Sequence, residues 1–188
     1  MKMGPMQANK AQNKVDQARD AQASTVDQML QMRKGGPGYE QDPKYQELQE
    51  ALTKSQAQDA KWSRRLSPDA DLPSAGMRTL DVLASKRRSD PFSYFDDADA
   101  AMDILGIDKP DEAMRDRLSS QAATAISNAE ISLRDDQALV NSVHKGNTTF
   151  AGAGEATNVP GRIARNTIGI NKLKRFAFRR FLDLGDGQ

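Results

Sequence analysis

The chain has 188 residues and a net charge of +1, and it is poor in large apolar side chains. Leucine, isoleucine, valine and phenylalanine together make up less than a fifth of it, and alanine, which buries little area, is the commonest apolar residue. At about 25 cal/mol per Å² of buried apolar surface, this supply is small against an ordering cost of roughly 1–2 kcal/mol per residue. The composition therefore argues against a single compact enzyme domain and favours a chain that completes its burial against partners.

Residue types and spacings exclude several classes of site. The sequence has no cysteine, which excludes disulfides and thiolate zinc sites, and one histidine, His144, cannot form a multi-histidine centre by itself. The acidic run at residues 96–103 has no oxygen ligand or glycine where a calcium-binding loop requires them. The paired aspartates lie in hydrophilic runs, where we expect water around them rather than the apolar pocket that acid–base catalysis requires. We therefore predict no catalytic residue, cofactor, metal or small-molecule substrate.

The N-terminal segment, residues 1–38, predicts a helical arm. Residues 6–34 are rich in Gln, Ala and Asp and carry only a narrow stripe of Ala and Val, which is too weak to dock alone. Three glycines and a proline at residues 35–38 end the helix. We expect this arm to reach into a neighbouring subunit.

A second helical segment covers residues 39–88 and contains a linker at 67–76. The Asp-Pro pair at residues 42–43 predicts a helix start, because aspartate caps helices and proline suits the first turn. A shorter helix after the linker ends in a basic cluster at residues 86–88. Cations there suit the negative end of the helix dipole, and contact with nucleic acid is the alternative interpretation.

An acidic central segment occupies residues 89–144, and acidic side chains clearly outnumber basic ones between residues 89 and 136. One helix is predicted to start at the Asp-Pro pair 90–91 and to end at Gly106, which fits the left-handed position after a helix. A longer helix is predicted over 110–143, with one face built mostly of alanine. Small residues permit close approach of helices but bury little area, so this helix suits packing between copies.

The last two segments are a loop, residues 145–161, and a basic tail, residues 162–188. We prefer a helix to a strand for the tail, because Ile170, Leu173 and Phe181 share one helical face with Ala177 and Leu184, although Arg180 also lies within that face. The candidate partner-binding residues are Arg162, Arg165, Lys172, Leu173, Lys174, Arg175, Phe176, Phe178, Arg179, Arg180 and Phe181.

Four interpretations suit a basic tail with interleaved phenylalanines. The preferred one places the phenylalanines in a groove of another subunit, where the acidic segment of a neighbouring copy supplies matching charge. The tail could instead contact nucleic acid, lie on an anionic membrane, or pack as an ordinary terminal helix on its own chain.

Residues 7–22 read Gln-Ala-Asn-Lys-Ala-Gln-Asn-Lys-Val-Asp-Gln-Ala-Arg-Asp-Ala-Gln. This opening resembles the Ala/Gln-rich helical beginnings of small virion proteins of tailed bacteriophages, including the internal or ejection proteins of short-tailed phages and adaptor-type proteins near the portal. The resemblance is confined to the N-terminal helical segment, and it implies a non-enzymatic virion protein.

The sequence as a whole predicts an all-α, elongated chain with Gly/Pro linkers and extended termini rather than a compact single domain. We expect a structural subunit of a homo-oligomeric assembly, most specifically a phage virion, that binds other copies of itself and other virion proteins. No secretory signal or membrane-spanning stretch is apparent, so we expect a soluble chain in the host cytoplasm before assembly into the virion. The alternative function is nucleic-acid binding through the basic tail.

Overall fold

A computed structural model describes residues 5–66, 72–145 and 158–181, and within these ranges the chain is all-α, as predicted. The helices are α1 (Pro5–Lys34), α2 (Pro43–Ser63), α3 (Ala75–Lys86), α4 (Pro91–Leu105), α5 (Glu112–His144) and α6 (Val159–Phe181), with a short 3-10 turn at Tyr39–Gln41. The chain divides into two compact units, Met1–Asp108 and Lys109–Gln188. The division lies inside the predicted acidic segment 89–144.

Local capping chemistry sets the starts of α2 and α4 where the sequence predicts them. The carboxylate of Asp42 accepts a hydrogen bond from the backbone N–H of Lys44 at 2.8 Å, and Asp90 accepts one from Ser93 at 3.2 Å. Each aspartate precedes a proline in the first helical turn. These caps satisfy backbone donors that the helix itself cannot pair.

The predicted end of α4 is also confirmed. Gly106 has a φ of 71°, in the left-handed region that favours glycine, and its N–H donates to the carbonyl of Asp103. The N–H of Ile107 donates to the carbonyl of Met102 at 2.8 Å, which closes the turn.

Two helices start inside segments that the sequence predicts to be linker and loop. α3 begins at Ala75 because the hydroxyl of Ser74 caps it, accepting from the N–H of Met77 at 3.2 Å. α6 begins at Val159, and Pro160 follows in its first turn, where the missing N–H costs no hydrogen bond. Residues 67–71 and 146–157 of these segments lie outside the described residues.

α1 is the central helix of the first unit and packs against α2, α3 and α4. Its buried apolar residues include Val15, Val26 and Leu30, and they recur at helical spacing along one stripe. The sequence predicts an N-terminal arm for a neighbouring subunit, but the structure uses this helix within its own unit. Ion pairs to the neighbouring helices supplement the narrow stripe.

The first set of ion pairs joins α1 to α2 and to α3. The Arg19 guanidinium on α1 pairs with Asp59 of α2 at 3.1 Å and donates to the carbonyl of Pro73 at 2.7 Å. Arg78 of α3 pairs with Asp16 of α1 at 3.2 Å. One face of α1 is therefore polar and still packed.

A second set joins α1, α3 and α4 around two buried carboxylates, and we call it the buried ion-pair cluster. Arg87 donates to Asp97 at 2.5 Å and to Asp27 at 3.4 Å. Lys86 also pairs with Asp27 at 2.5 Å, and Lys34 with Asp97 at 2.8 Å. The side chains of Arg87, Asp27 and Asp97 are 9%, 8% and 5% exposed. Each buried carboxylate is therefore neutralised by two cations.

The second unit contains a helical hairpin of α5 and α6. Arg162 on α6 donates to Asp136 on α5, and the side-chain amide of Asn166 donates to the hydroxyl of Ser132 at 3.2 Å. Asn166 lies four residues after Arg162 in α6, whereas its partner Ser132 lies four residues before Asp136 in α5. The two helices therefore run antiparallel.

On the α5 side, small side chains line much of the hairpin interior. The buried side chains there include Met114 and Leu118, followed by three alanines, Ala122, Ala125 and Ala129. Leu173 and Phe176 are buried on α6. Alanines let the helix axes approach closely, and the alanine face predicted to pack between copies is buried in this hairpin.

Candidate functional site

The candidate binding residues of the tail fall on two sides of α6. Leu173, Phe176 and Arg180 are 8% exposed or less, so they belong to the interior of the second unit. Arg180 lies within the apolar side of the helix, as its sequence position predicts. The apolar face predicted from the sequence contains Ala177 and not Phe176. In the structure Phe176 is buried and Ala177 is only half-buried.

The exposed side of α6 carries a regular row that we call the basic stripe. Its members follow one another at spacings of three and four residues, which places them on one helical face: Arg165, Ile168, Lys172, Arg175 and Arg179. At 1.5 Å per residue the row is about 21 Å long. Ile168, between Arg165 and Lys172, is 58% exposed. The stripe thus combines cations with an exposed apolar side chain.

The remaining candidate residues lie outside the stripe. The guanidinium of Arg162 binds Asp136 through two nitrogens, at 2.5 and 3.2 Å, and so fixes the start of α6 on α5. Lys174 is exposed on another side of the helix. Phe178 and Phe181 belong to the helical backbone of α6, but their side chains lie outside the described residues.

All charged side chains of α6 are positive. The helix contains seven Lys and Arg residues and no Asp or Glu. A row of like charges without interspersed acids raises a positive potential that attracts anionic surfaces. Arginine additionally offers a planar set of donors that matches carboxylate and phosphate oxygens.

A row of opposite charge lies on α4 in the first unit, and we call it the acidic stripe. It consists of Asp96, Asp99 and Asp103, again at spacings of three and four residues. Asp96 and Asp103 are exposed and Asp99 is half-buried. Asp97, between them in sequence, points to the other side and belongs to the buried ion-pair cluster.

The basic cluster at residues 86–88 is largely used inside the first unit. Lys86 and Arg87 pair with the buried carboxylates of Asp27 and Asp97, and Arg88 is exposed. Any phosphate contact by this cluster would compete with those ion pairs. α6 has more exposed cations than this cluster and is for that reason the stronger candidate for binding an anionic partner.

An open cleft of about 400 Å³ lies in the first unit, between the start of α1 and the end of α2. Its lining includes Gln7, Lys10, Trp62 and Arg65. Trp62 is half-buried, and the guanidinium carbon of Arg65 lies 4.6 Å from its ring centroid. The sequence pattern identified Trp62 only as an apolar residue of α2. The signal that could have found the cleft was an aromatic residue among the basic residues 61–65.

Within the described ranges no group of three or more His, Asp or Glu side chains could hold a metal ion. None of the helices described is both long and apolar enough to cross a bilayer. No family model matches the chain, and comparison with curated proteins and with solved structures gives no match.

Proposed function

We propose that this chain is a non-enzymatic structural subunit of a homo-oligomeric assembly, with α6 as the helix that contacts the next copy. The basic stripe of one copy docks on the acidic stripe of another. The observation that carries the proposal is the pair of oppositely charged rows on α6 and α4, which share the same three- and four-residue spacing. Complementary charge guides association and fixes orientation.

The exposed apolar side chain in the basic stripe supports a protein partner. Burying Ile168 in a helix–helix contact would remove apolar surface from water, a gain that phosphates alone do not offer. The exposed cations of α6, which carries no acid of its own, would repel a second α6, so the proposed contact joins two different surfaces. Such a contact can be reciprocal in a two-fold pair, or it can continue head to tail into rings or filaments.

The most specific form of the proposal is a bacteriophage virion component, of the internal, ejection or head-tail type. The resemblance of residues 7–22 to Ala/Gln-rich openings of such proteins supports it. Mass spectrometry of purified particles from the phage that encodes the chain tests this form. The chain is expected among the particle proteins, and its absence from the particles would contradict a virion role.

A charge-swap experiment tests the docking contact. The double variant Arg165→Glu/Arg179→Glu cancels the net charge of the basic stripe, because Lys172 and Arg175 remain, and Asp96→Lys/Asp103→Lys makes the acidic stripe net positive. Each variant alone is expected to remain smaller than the wild type in sedimentation equilibrium at 0.1 M salt. A mixture of the two variants again contains an unmodified basic stripe and an unmodified acidic stripe, on different chains. It is expected to form larger species than either variant alone.

The control is Lys54→Glu, an exposed change on α2 outside both stripes, which should sediment like the wild type. A wild-type chain that stays monomeric at all concentrations, or variants that assemble as the wild type does, would contradict the docking contact.

Nucleic-acid binding is the second candidate function, and the acid-free composition of α6 favours it. If the basic stripe neutralises phosphates, affinity for a duplex should fall steeply with the logarithm of salt concentration, with a slope near −0.9 per phosphate contact. Anisotropy of a labelled duplex over 50–300 mM salt measures that slope. A shallow slope, or equal affinity for anionic vesicles, would remove this candidate.

A further inference from the structure

The cleft beside Trp62 combines three kinds of group that converge on one small volume. Trp62 supplies a flat aromatic surface that is only half-buried. Lys10 from α1 and Arg65 from the end of α2 supply two exposed cations, and Gln7 supplies an amide that both donates and accepts hydrogen bonds. Gln7 and Lys10 lie on α1 and Trp62 lies on α2, two helices that pack together, and Arg65 lies in the turn that follows α2.

We propose that this cleft binds a nucleotide unit, with the base stacked on Trp62 and the phosphate held by Lys10 and Arg65. The cleft belongs to a different unit of the chain from α6, and its ligand goes beyond the proposed structural role. The sequence alone did not predict such a ligand.

The chemistry of the cleft selects this ligand class over simpler ones. A purely apolar ligand would use the indole ring but not the two cations, and an inorganic anion would use the cations but not the ring. A nucleotide engages both, because base–aromatic stacking and phosphate–cation pairing act together in single-strand recognition. The volume of about 400 Å³ lies in the range of small-ligand sites and suits one nucleotide rather than a longer segment.

The guanidinium of Arg65 already lies over the indole ring, so a base stacked there would displace it from the ring face and leave its charge beside the phosphate. The guanidinium carbon is 4.6 Å from the ring centroid, and the ammonium of Lys61 is 6.0 Å away. These cation–π contacts hold positive charge next to the stacking surface. A phosphate attached to a base stacked there would meet that charge without rearrangement of the helix.

The single tryptophan of the chain makes the test direct. The full chain is titrated with an eight-residue oligothymidylate and, separately, with thymidine monophosphate, while Trp62 fluorescence is recorded. Saturable quenching by either ligand is the expected result. Quenching by both assigns the site to the nucleotide unit, and quenching by the oligomer alone assigns it to a single strand.

Variants establish where the ligand binds. Lys10→Ala/Arg65→Ala is expected to weaken quenching affinity about tenfold, and Trp62→Phe is expected to weaken binding of a labelled oligomer, measured by anisotropy, by a similar factor. Lys54→Ala, an exposed change on the same helix outside the cleft, is the matched control and should bind as the wild type does. Circular dichroism confirms that each variant is folded.

Several outcomes would overturn the proposal. They are no quenching by either ligand, equal quenching by inorganic phosphate or by an oligoglutamate peptide, quenching unaffected by Lys10→Ala/Arg65→Ala, and oligomer binding that leaves Trp62 fluorescence unchanged. The stripe variant Arg165→Glu/Arg179→Glu should still show quenching. Failure of the docking contact on α6 is thereby distinguishable from failure of this site.

Discussion

Arg87 illustrates how a single residue holds the first unit together. Its side chain is 9% exposed, and its guanidinium contacts the carboxylates of Asp27 on α1 and Asp97 on α4. Burying charges is costly unless each has a partner, and here one arginine is shared by two carboxylates, each of which also pairs with a lysine. Arg88, the next residue, is exposed and supplies a natural comparison.

Replacing Arg87 by alanine is expected to destabilise the first unit by about 3 kcal/mol, because two buried carboxylates lose a shared partner. Urea unfolding followed by Trp62 fluorescence measures the loss in that unit. Arg88→Ala should stay within about 0.5 kcal/mol of the wild type. Equal midpoints for the two variants would show that the cluster contributes no net stability.

Gly106 is the residue whose backbone ends α4. Its φ of 71° favours glycine, and a Cβ built there meets nothing within 4 Å. Gly106→Ala should therefore cost about 1 kcal/mol through backbone strain alone. Thermal unfolding by circular dichroism measures it. Gly161→Ala also enters open space but without a positive φ, so it should cause no loss, and equal losses for the two would refute this account.

At the scale of elements, α6 has two faces with different uses. One packs on the alanine-rich face of α5, and the other presents the basic stripe. The close approach depends on the small size of Ala122, Ala125 and Ala129. A larger side chain at any of these positions must either push the helices apart or adopt a strained rotamer.

Ala122→Leu is expected to destabilise the hairpin by about 1–3 kcal/mol through overpacking. Hydrogen exchange of peptides from residues 159–181 should become roughly tenfold faster, which corresponds to about 1.4 kcal/mol. Ala123→Leu, on the exposed side of the same helix, is the control and should leave exchange unchanged. Unaltered protection of α6 in Ala122→Leu would mean that the two helices are not closely packed there.

At the scale of the whole molecule, the chain forms two compact units instead of one. The ion pairs described for the first unit join α1, α2, α3 and α4 to one another, and those of the second join α5 and α6. The chain, which has few large apolar side chains, thus forms small cores that buried ion pairs supplement. The expectation that partners complete the burial stays a prediction.

A fragment of residues 1–108 is expected to fold alone, because the first unit contains both sides of its buried ion-pair cluster. Circular dichroism and urea unfolding should show a helical, cooperative transition. A shorter fragment, residues 1–88, lacks Asp97 and the apolar residues of α4 and is expected to lose cooperativity. Similar behaviour of the two fragments would contradict the role assigned to α4.

The sequence determined the features that depend on near neighbours in the chain. It predicted the helix starts at Asp42 and Asp90, the end at Gly106, and the position of Arg180 on the apolar side of its helix, because caps, glycine turns and helical spacing act over a few residues. Because the chain has no cysteine, its composition alone also excludes thiolate chemistry.

Only the tertiary structure decided which helices pack together and which cations stay exposed. Arg87 and Asp27 are 60 residues apart in sequence, and Lys10 and Trp62 lie on different helices, so no local pattern pairs them. For the same reason the central position of α1, the burial of Phe176 and the separation of the basic stripe from the hairpin interior were not predicted. Helix formation follows from short-range preferences, whereas the partner of each face depends on contacts made after the chain has folded back on itself.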